Sequence, residues 1–315
     1  MSASNGETTT IGDHMTREKL RIVAALPAYN EEVAIGSVVL GARGYVDEVV
    51  VVDDGSSDRT AEIAEAAGAI VLKHEKNLGK GYALKSAFQV ARELNADILV
   101  CLDGDGQHDP RQIPELVEPV KKGVDVVIGS RFLDGKHSVP KYRRLGQEFL
   151  TYMTNLVSSS KLTDSQSGYR AFSRNAIESL KFNGSGISIE SEMQVSAGDS
   201  GLSVKEVPIT CRYGKIRSTY NPIHHGAMVV NGILKLVEQR RPLLFFAVPG
   251  FTLGIIGAFM GYRVVDIYNA TKTLAIGTAL LTILFIMMGT LLFFTGVILH
   301  TVTGVMRKNG FNDLK

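Results

Sequence analysis

Short apolar runs alternate with longer segments of mixed polarity in the first part of the chain. The runs cover residues 22–26, 48–52, 69–72, 98–102 and 124–128. They are brief and rich in β-branched residues, which is typical of parallel strands that are buried on both faces. Helices are predicted between them, over about residues 30–40, 58–67, 77–94 and 110–122. This alternation predicts an α/β fold, an open and mostly parallel sheet with helices on both faces.

The pattern is less regular after about residue 140. A helix containing Phe149, Met153 and Val157 is followed by a polar loop that enters a strand near Arg170. A further helix begins near Glu190, and residues 204–211 have the composition of another strand. These elements would complete one domain, which we place at residues 21–220.

Residues 221–241 are predicted to form an amphipathic helix. Met228, Ile233 and Val237 lie on its apolar face, and most of its charges collect toward its end. A helix packed on a protein surface and a helix lying in a membrane interface share this pattern. The long apolar segment that follows favours the interface helix.

Two long apolar segments close the chain. Residues 242–262 carry no charge, and residues 274–306 contain no Asp, Glu, Lys or Arg. Each is long enough to cross a bilayer, and the short connection at 263–273 predicts a transmembrane hairpin over residues 242–306. The flanking charges are Arg240, Arg241, Arg307, Lys308 and Lys315, against Arg263 and Lys272 in the connection. The positive-inside rule therefore predicts a multi-pass protein of the cell membrane, with the domain at residues 21–220 and both termini in the cytoplasm.

Composition adds little to this division. The formal net charge of +2 over 315 residues gives no sign of a nucleic-acid partner. Cys101 and Cys211 lie in apolar runs and are predicted to be core residues rather than a disulfide. Residues 1–20 are polar and lack the apolar centre of a signal peptide, so we expect a disordered leader. Residues 307–315 would form a cytoplasmic tail.

Four aspartates fall at the ends of predicted strands. Asp53 and Asp54 follow one strand, and Asp103 and Asp105 follow another. In open parallel sheets ligands bind at the carboxyl ends of strands, and a core does not need four carboxylates on one rim. With Gln107, the second pair supplies oxygen ligands that suit Mg²⁺ or Mn²⁺. His108 is either a further ligand or a turn histidine.

Six motifs in one order resemble those of family 2 glycosyltransferases, in particular the polyprenyl-phosphate group that includes dolichol-phosphate mannose synthases. They are Leu26-Pro27-Ala28-Tyr29-Asn30-Glu31, Val52-Asp53-Asp54-Gly55-Ser56-Ser57-Asp58, Asn77-Leu78-Gly79-Lys80-Gly81, Asp103-Gly104-Asp105-Gly106-Gln107, Gly129-Ser130-Arg131-Phe132 and Ser167-Gly168-Tyr169-Arg170. The C-terminal hairpin resembles the two-helix anchor of some members. Gly104 stands where mannose synthases more often have Ala, which leaves the donor sugar open.

The resemblance implies a GT-A fold that transfers a sugar from UDP-glucose, UDP-N-acetylglucosamine or GDP-mannose to a polyprenyl (dolichyl or undecaprenyl) phosphate. The residues it implies for nucleotide-sugar binding are Pro27, Tyr29, Glu31, Asp53, Asp54, Lys80, Asp103, Arg212 and Arg217. Asp105 and Gln107 would hold Mg²⁺ or Mn²⁺. Arg131, Arg144 and Arg170 would face the acceptor phosphate, since guanidinium groups bind phosphate bidentately. Asp103, Asp105 and Arg131 would be the catalytic residues.

An acceptor phosphate arrives already charged, so direct displacement with inversion would need no strong base and no covalent enzyme intermediate. The product would be a lipid-phosphate-linked monosaccharide for glycan assembly. Two alternatives stay open. A transferase acting on a lipid-linked sugar hydroxyl needs a general base, for which Asp164 and Glu192 are candidates. A catalytically inactive scaffold anchored in the membrane could also use this fold, and self-association through the hairpin is left open.

Overall fold

The computed structural model describes residues 19–133, 141–158, 161–183, 189–211 and 222–308. Within these ranges the side chains of residues 141–143, 145, 222–229 and 306–308 are not described. The predicted disordered leader up to residue 18, Arg212, Arg217 and the tail from residue 309 lie outside the described residues.

The described strands all belong to one sheet. They are β1 (Ile22–Ala28), β2 (Glu48–Asp53), β3 (Ile70–Lys73), β4 (Ile98–Cys101), β5 (Val126–Ser130), β6 (Arg170–Ser173) and β7 (Val204–Pro208). The helices are α1 (Ile35–Ala42), α2 (Thr60–Ala66), α3 (Lys80–Glu93), α4 (Ile113–Lys121), α5 (Lys141–Val157), α6 (Arg174–Ser179), α7 (Ile189–Asp199), α8 (Pro222–Arg240), α9 (Val248–Thr271) and α10 (Ile276–Lys308). A 3₁₀ turn, Pro110–Gln112, precedes α4, and a π-helical turn, Leu243–Ala247, precedes α9.

The strand order in the sheet is β3-β2-β1-β4-β6-β5-β7. Strands β1 to β4 are parallel to one another, as are β5 and β7, whereas β6 is antiparallel to both β4 and β5. The predicted α/β fold with a mostly parallel sheet is confirmed. The chain proceeds from β1 outward in one direction to β2 and β3 and then crosses to β4. The topological switch point, where open sheets bind ligands, is therefore between β1 and β4.

The core lies on both faces of this sheet. In β2, Val50 and Val52 point into a cluster with Phe88 of α3, whereas Val49 and Val51 point into a second cluster with Val39 of α1. Because both faces of β2 are buried, the side chains on either face are apolar. The strand sequence is therefore a continuous β-branched run instead of an alternation of apolar and polar residues. Cys101 and Cys211 are free and buried, as predicted.

Helix α8 packs on the domain through its apolar face. Ile233 and Val237 are almost fully buried against Val157 of α5 and Val195 of α7, with Phe245 of the π-helical turn packed beside them. Packing on the domain, the alternative that the amphipathic pattern left open, therefore accounts for these two positions. A membrane-interface role for the rest of residues 221–241 stays a prediction.

The connection between the last two helices is shorter than the sequence predicts. Helix α9 continues to Thr271, so Arg263 and Asp266 are helical, and only four residues separate it from α10. The expected loop at 263–273 is thus wrong over most of its length. It contains neither Gly nor Pro, so nothing local ends the helix where the charges begin. Lys272 ends it, in a left-handed conformation with φ of 57° and its N–H donating to the carbonyl of Tyr268.

The two helices pack closely through glycines. A Cβ on Gly250 would lie 2.5 Å from the amide nitrogen of Phe293, and one on Gly289 would lie 2.7 Å from the carbonyl oxygen of Gly250. Small residues permit this approach between apolar helices. The spans Leu243–Thr271 and Ile276–Val305 are long and apolar enough to cross a membrane, yet only 17% of each apolar window is buried. The helix of a soluble core would bury most of this surface, so the hairpin supports a membrane protein.

Candidate active site

The loops after β1 and β2 are hydrogen-bonded into one wall at the carboxyl edge of the sheet. Asn30 adopts a positive φ of 55°, a conformation that Asn tolerates better than most residues. Its N–H donates to Ser56 Oγ (2.9 Å), and its Oδ1 accepts from the N–H of Ser57 (2.9 Å). The N–H of Glu31 donates to Thr60 Oγ1 (2.8 Å). The predicted Tyr29–Glu31 segment is therefore held against the aspartate motif of β2.

Asp53 is fully buried at the end of β2. Its Oδ1 accepts a hydrogen bond from the N–H of Ser56 (3.0 Å). Its Oδ2 is buried and, among the described residues, has no hydrogen-bond partner, while Lys73 Nζ lies 3.7 Å away. Buried carboxylate oxygens are normally hydrogen-bonded, so this oxygen is suited to accept from a donor group on a ligand.

Both carboxylate oxygens of Asp54 accept hydrogen bonds from other groups of the protein. Its Oδ1 accepts from His74 Nδ1 (2.7 Å) and from the N–H of Leu78 (3.0 Å), and its Oδ2 accepts from the N–H of Gly79 (2.7 Å). His74 Nε2 in turn lies 2.9 Å from Ser86 Oγ of α3. These contacts fix the loop that leads into α3. The nucleoside contact that the resemblance implies for Asp54 stays a prediction, beside this positioning of the loop.

Lys80, the first residue of α3, lies between two carboxylates. Its Nζ is 2.7 Å from Asp103 Oδ1 and 2.9 Å from Glu190 Oε1. Burial by itself would raise the pKa of Asp103. The charge and hydrogen bond of Lys80, together with the charges of His108 and Arg131, outweigh burial and lower that pKa. Gly168 covers the pair, since a Cβ there would lie 3.0 Å from both Lys80 Nζ and Asp103 Oδ2. Lys80, Asp103 and Gly168, which the motifs singled out separately, are thus brought together.

Two carboxylates of the site, Asp105 and Glu31, have raised pKa values. Burial and the neighbouring charge of Asp103 raise the pKa of Asp105 to about 6. Burial, Asp105 and Asp103 raise the pKa of Glu31 to about 7. Asp105 Oδ1 also accepts from the N–H of Gln107 (2.9 Å), which fixes the turn between the two predicted ligands. A cation would relieve this repulsion, so the donor set fits a hard divalent ion.

The protein alone does not complete such a site. Among the described residues, no three His, Cys, Asp or Glu side chains converge closely enough to hold an ion. An ion held by Asp105 and Gln107 would take its remaining oxygen ligands from a diphosphate and water, as is usual for Mg²⁺ at phosphate sites.

His108 is buried directly behind this turn. Its Nδ1 accepts a long hydrogen bond (3.4 Å) from the N–H of Asp103, and its ring centroid lies 5.0 Å from that of Tyr169. Burial lowers the pKa of His108 to about 4, so the ring is neutral at physiological pH. This geometry agrees with a turn histidine, the second of the two interpretations that the sequence left open.

Arg131 is held in place by a buried carboxylate. Its Nε and Nη2 donate to Asp164 Oδ2 (2.7 Å) and Oδ1 (2.8 Å), and its backbone N–H donates to Oδ2 as well (3.1 Å). Asp164 is fully buried. Both of its oxygens are engaged by Arg131, so Asp164 is not available as the general base that transfer to a hydroxyl would need.

The other two predicted acceptor arginines have different surroundings. Arg170 is buried, and it donates to the carbonyl oxygens of Ser165, Ser167 and Glu190 at 2.7–2.9 Å. These contacts argue against the direct contact with an acceptor phosphate that the resemblance implies, and they make Arg170 a crosslink behind the site. Arg144 is partly exposed on α5 and pairs with Glu148, one turn further along the helix.

Glu190 was not among the residues that the sequence indicated. The sequence pointed to Glu192, whose Oε1 accepts from the N–H of Asn183 (2.8 Å). Glu190 reaches Lys80 because it begins α7 close to the glycine loop at Gly168, a tertiary contact that no spacing in the sequence reveals.

Comparison with known proteins agrees with this geometry. The family model described as Glycosyl transferase family 2 matches residues 24–181. The chain belongs to glycosyltransferase family 2. The match contains the wall after β1, both aspartate motifs and the Gly168 loop, and its enzymes are sugar transferases. The chain is therefore a glycosyltransferase, as the resemblance implied.

Two relatives show how far the similarity extends. An uncharacterized protein of Methanocaldococcus jannaschii is 37% identical over 232 residues, covering 70% of this chain and 93% of the relative. The UDP-N-acetylglucosamine–dolichyl-phosphate N-acetylglucosaminyltransferase of Methanococcus voltae is 34% identical over 215 residues, covering 61% of this chain and 86% of the relative. The resemblance to the polyprenyl-phosphate group is thereby confirmed, since named relatives of this chain include a dolichyl-phosphate transferase.

A solved structure supports the GT-A fold. Glucosyl-3-phosphoglycerate synthase from Mycobacterium tuberculosis, in complex with Mn²⁺, UDP and phosphoglyceric acid, superposes with a TM-score of 0.54 at 27% identity. The superposition covers 70% of this chain and 78% of that chain.

Proposed function

We propose that this glycosyltransferase moves a sugar from a nucleotide-sugar to a polyprenyl phosphate, with inversion and with the help of Mg²⁺ or Mn²⁺. The proposal rests on one observation: the chain combines the acidic cluster around Asp105 with a helical hairpin long enough to cross a membrane. The cluster would bind a cation and, through it, a diphosphate. The hairpin would hold the enzyme at the membrane that contains the lipid substrate.

The donor would lie across the switch point of the sheet. Pro27, Tyr29 and Glu31 would line the nucleoside side. Asp53 Oδ2, which has no hydrogen-bond partner among the described residues, would accept from a ring N–H of the base, which both uracil and guanine offer. UDP-glucose, UDP-N-acetylglucosamine and GDP-mannose all meet this requirement. Arg212 and Arg217 would add positive charge on the donor side, as the resemblance implies.

Asp105 and Gln107 would hold the ion. Bound there, it would neutralise the charge that develops on the leaving diphosphate. Asp103, oriented by Lys80 at 2.7 Å, would position the donor. Arg131, kept rigid by Asp164, would bind the acceptor phosphate, whose oxygen is already anionic. Arg144 would add positive charge on the same side.

Transfer to a lipid-linked sugar hydroxyl is less well supported. That reaction needs a free carboxylate as general base. Asp164 is buried under Arg131, and Glu192 is bound to the N–H of Asn183. An inactive scaffold is not supported by the charges, because it has no need of carboxylates that repel one another at Asp103 and Asp105.

The decisive experiment supplies purified full-length protein in lipid vesicles with each of the three nucleotide-sugars and Mn²⁺. The acceptors would be undecaprenyl or dolichyl phosphate, a neutral glycolipid, and phosphoglyceric acid as a soluble phosphorylated acid. We expect transfer to polyprenyl phosphate, and Glu192→Gln should leave a measurable rate. Preference for the neutral glycolipid, together with an inactive Glu192→Gln variant, would overturn the proposal. A scaffold would transfer nothing to any acceptor.

The hairpin is proposed to concentrate the enzyme near its lipid substrate, with the catalytic domain and both termini in the cytoplasm. A chain that ends after Ala247 keeps Phe245 in its apolar cluster and should still fold and bind nucleotide. Its rate on membrane-embedded polyprenyl phosphate should fall about 100-fold or more, since the tether no longer raises the effective concentration. The measurement compares both chains on vesicles and on a detergent-soluble short-chain acceptor. Equal rates on vesicles would contradict this role.

A further inference from the structure

Three separate parts of the fold meet at one ammonium group. Lys80 begins α3, Asp103 follows β4, and Glu190 lies in the first turn of α7. Burial lowers the pKa of Lys80, but Asp103 and Glu190 outweigh it and raise the pKa, so Lys80 stays charged. One positive charge is thus shared by two carboxylates, and Glu190 is the member to which neither the motifs nor the relatives assign a role.

The surroundings of Glu190 hold it in place. Its side chain is about nine-tenths buried, and its carbonyl oxygen accepts from Arg170 Nη1 at 2.9 Å. Arg170 also binds the carbonyl oxygens of Ser165 and Ser167, which precede Gly168. Because Gly168 leaves no free space above Lys80 and Asp103, the backbone of this loop and the start of α7 form a fixed frame around the three charges.

A single carboxylate does not fix a lysine. The lysine side chain has four rotatable bonds, and its ammonium group has three equivalent N–H donors. An ion pair with Asp103 alone would therefore leave the ammonium free to move around that carboxylate. A second carboxylate at 2.9 Å from Nζ removes this freedom. The position of Asp103 Oδ1 then follows from the position of Lys80, and that position depends on Glu190.

We propose that Glu190 is a positioning residue for glycosyl transfer, which acts by holding Lys80 so that Asp103 keeps one orientation toward the donor. The inference rests on the proposed function, which places Asp103 beside the donor sugar. It differs from a general-base role, since Oε1 of Glu190 is engaged by the ammonium of Lys80.

The charge of Glu190 makes the kinetic signature specific. The donor is anionic, so removal of this carboxylate reduces repulsion and should not weaken donor binding. Loss of orientation at the reacting centre should instead lower kcat, because a displacement of about 1 Å costs roughly 100-fold. Glu190→Gln is therefore expected to lower kcat roughly 10- to 100-fold. The KM for the nucleotide-sugar should change by less than about threefold.

The test uses the full-length protein in vesicles with polyprenyl phosphate and the preferred nucleotide-sugar. Glu190→Asp, which keeps the charge but is one methylene shorter, should recover part of kcat. Glu178→Gln, an exposed carboxylate on α6, is the control and should leave both constants unchanged. Thermal unfolding of each variant checks that the fold is kept. A raised donor KM with unchanged kcat would show instead that Glu190 binds the donor directly, and would overturn the inference.

A double-variant cycle with Lys80→Gln identifies the route of the effect. If Glu190 acts through Lys80, Glu190→Gln should have no further effect in the Lys80→Gln background, within about twofold. Multiplied effects would overturn the inference. Metal-dependent hydrolysis of the donor, measured without any acceptor, gives the same cycle a second readout. If the wild type ignores polyprenyl phosphate but the hydrolysis cycle shows full coupling, the proposed acceptor is wrong and the role of Glu190 stands.

Discussion

Asp105→Asn is expected to lower sugar transfer about a thousandfold or more while the domain remains folded. The substitution keeps the shape of the side chain and the acceptor for the N–H of Gln107, so the turn should persist. It removes the anionic ligand that would hold Mg²⁺ or Mn²⁺ against the donor diphosphate, and metal-assisted stabilisation of a leaving group is commonly worth several kcal/mol. The measurement is the initial rate with saturating donor and polyprenyl phosphate, beside a thermal unfolding curve.

Two observations accompany this result. EDTA should stop the wild-type reaction, and added Mg²⁺ or Mn²⁺ should restore it. Binding of Mn²⁺ in the presence of UDP, followed by electron paramagnetic resonance, should be lost in Asp105→Asn and kept in Asp109→Asn, whose carboxylate pairs with the exposed Arg111. Full activity of the wild type in the chelator would refute the metal assignment.

Arg131→Ala is expected to damage both activity and stability. Loss of one partner of a desolvated charge pair should weaken the use of lipid phosphate by about 2–5 kcal/mol. The same change leaves the carboxylate of Asp164 buried without its cation, which typically costs about 3–5 kcal/mol of unfolding free energy. Donor binding should suffer less, since its contacts lie at the other strands.

A double variant separates the two effects. Arg131→Ala with Asp164→Asn removes the uncompensated charge and should regain much of the lost stability, measured by chemical denaturation, without regaining transfer to polyprenyl phosphate. Arg59→Ala, which removes an exposed pair with Glu62, is the control and should cost less than about 1 kcal/mol. If the double variant transfers sugar normally, Arg131 serves the fold alone.

Patterns with a local cause were predictable from the sequence. The run at residues 48–52 is apolar throughout because both faces of β2 are covered. The acidic turn is readable because Asp103, Asp105 and Gln107 are close in sequence and follow a strand end. The helical hairpin was predictable because each of its two apolar runs is longer than the usual helix of a soluble protein.

Partnerships between distant residues were not predictable. Nothing in the sequence states that Arg170 turns inward to three carbonyl oxygens while Arg131, in a similar polar motif, pairs with Asp164. The role of Asp54 in holding the loop before α3 depends on residues more than twenty positions away. The end of α9 was misplaced because charges alone do not terminate a helix.

Within the described part of the chain, helix α8 is joined to the first span without an extended linker. Helix α8 is packed into the domain, and only Arg241 and Pro242 separate it from the π-helical turn that carries Phe245 and leads into α9. The first span has 29 residues, about 43 Å of helix at 1.5 Å per residue, against a hydrocarbon core of about 30 Å. A helix of this length adapts to its bilayer by tilting. We expect part of this tilt to reach the domain through the packing of α8. The thickness of the host membrane should then change the height and angle at which the active site meets the lipid headgroups.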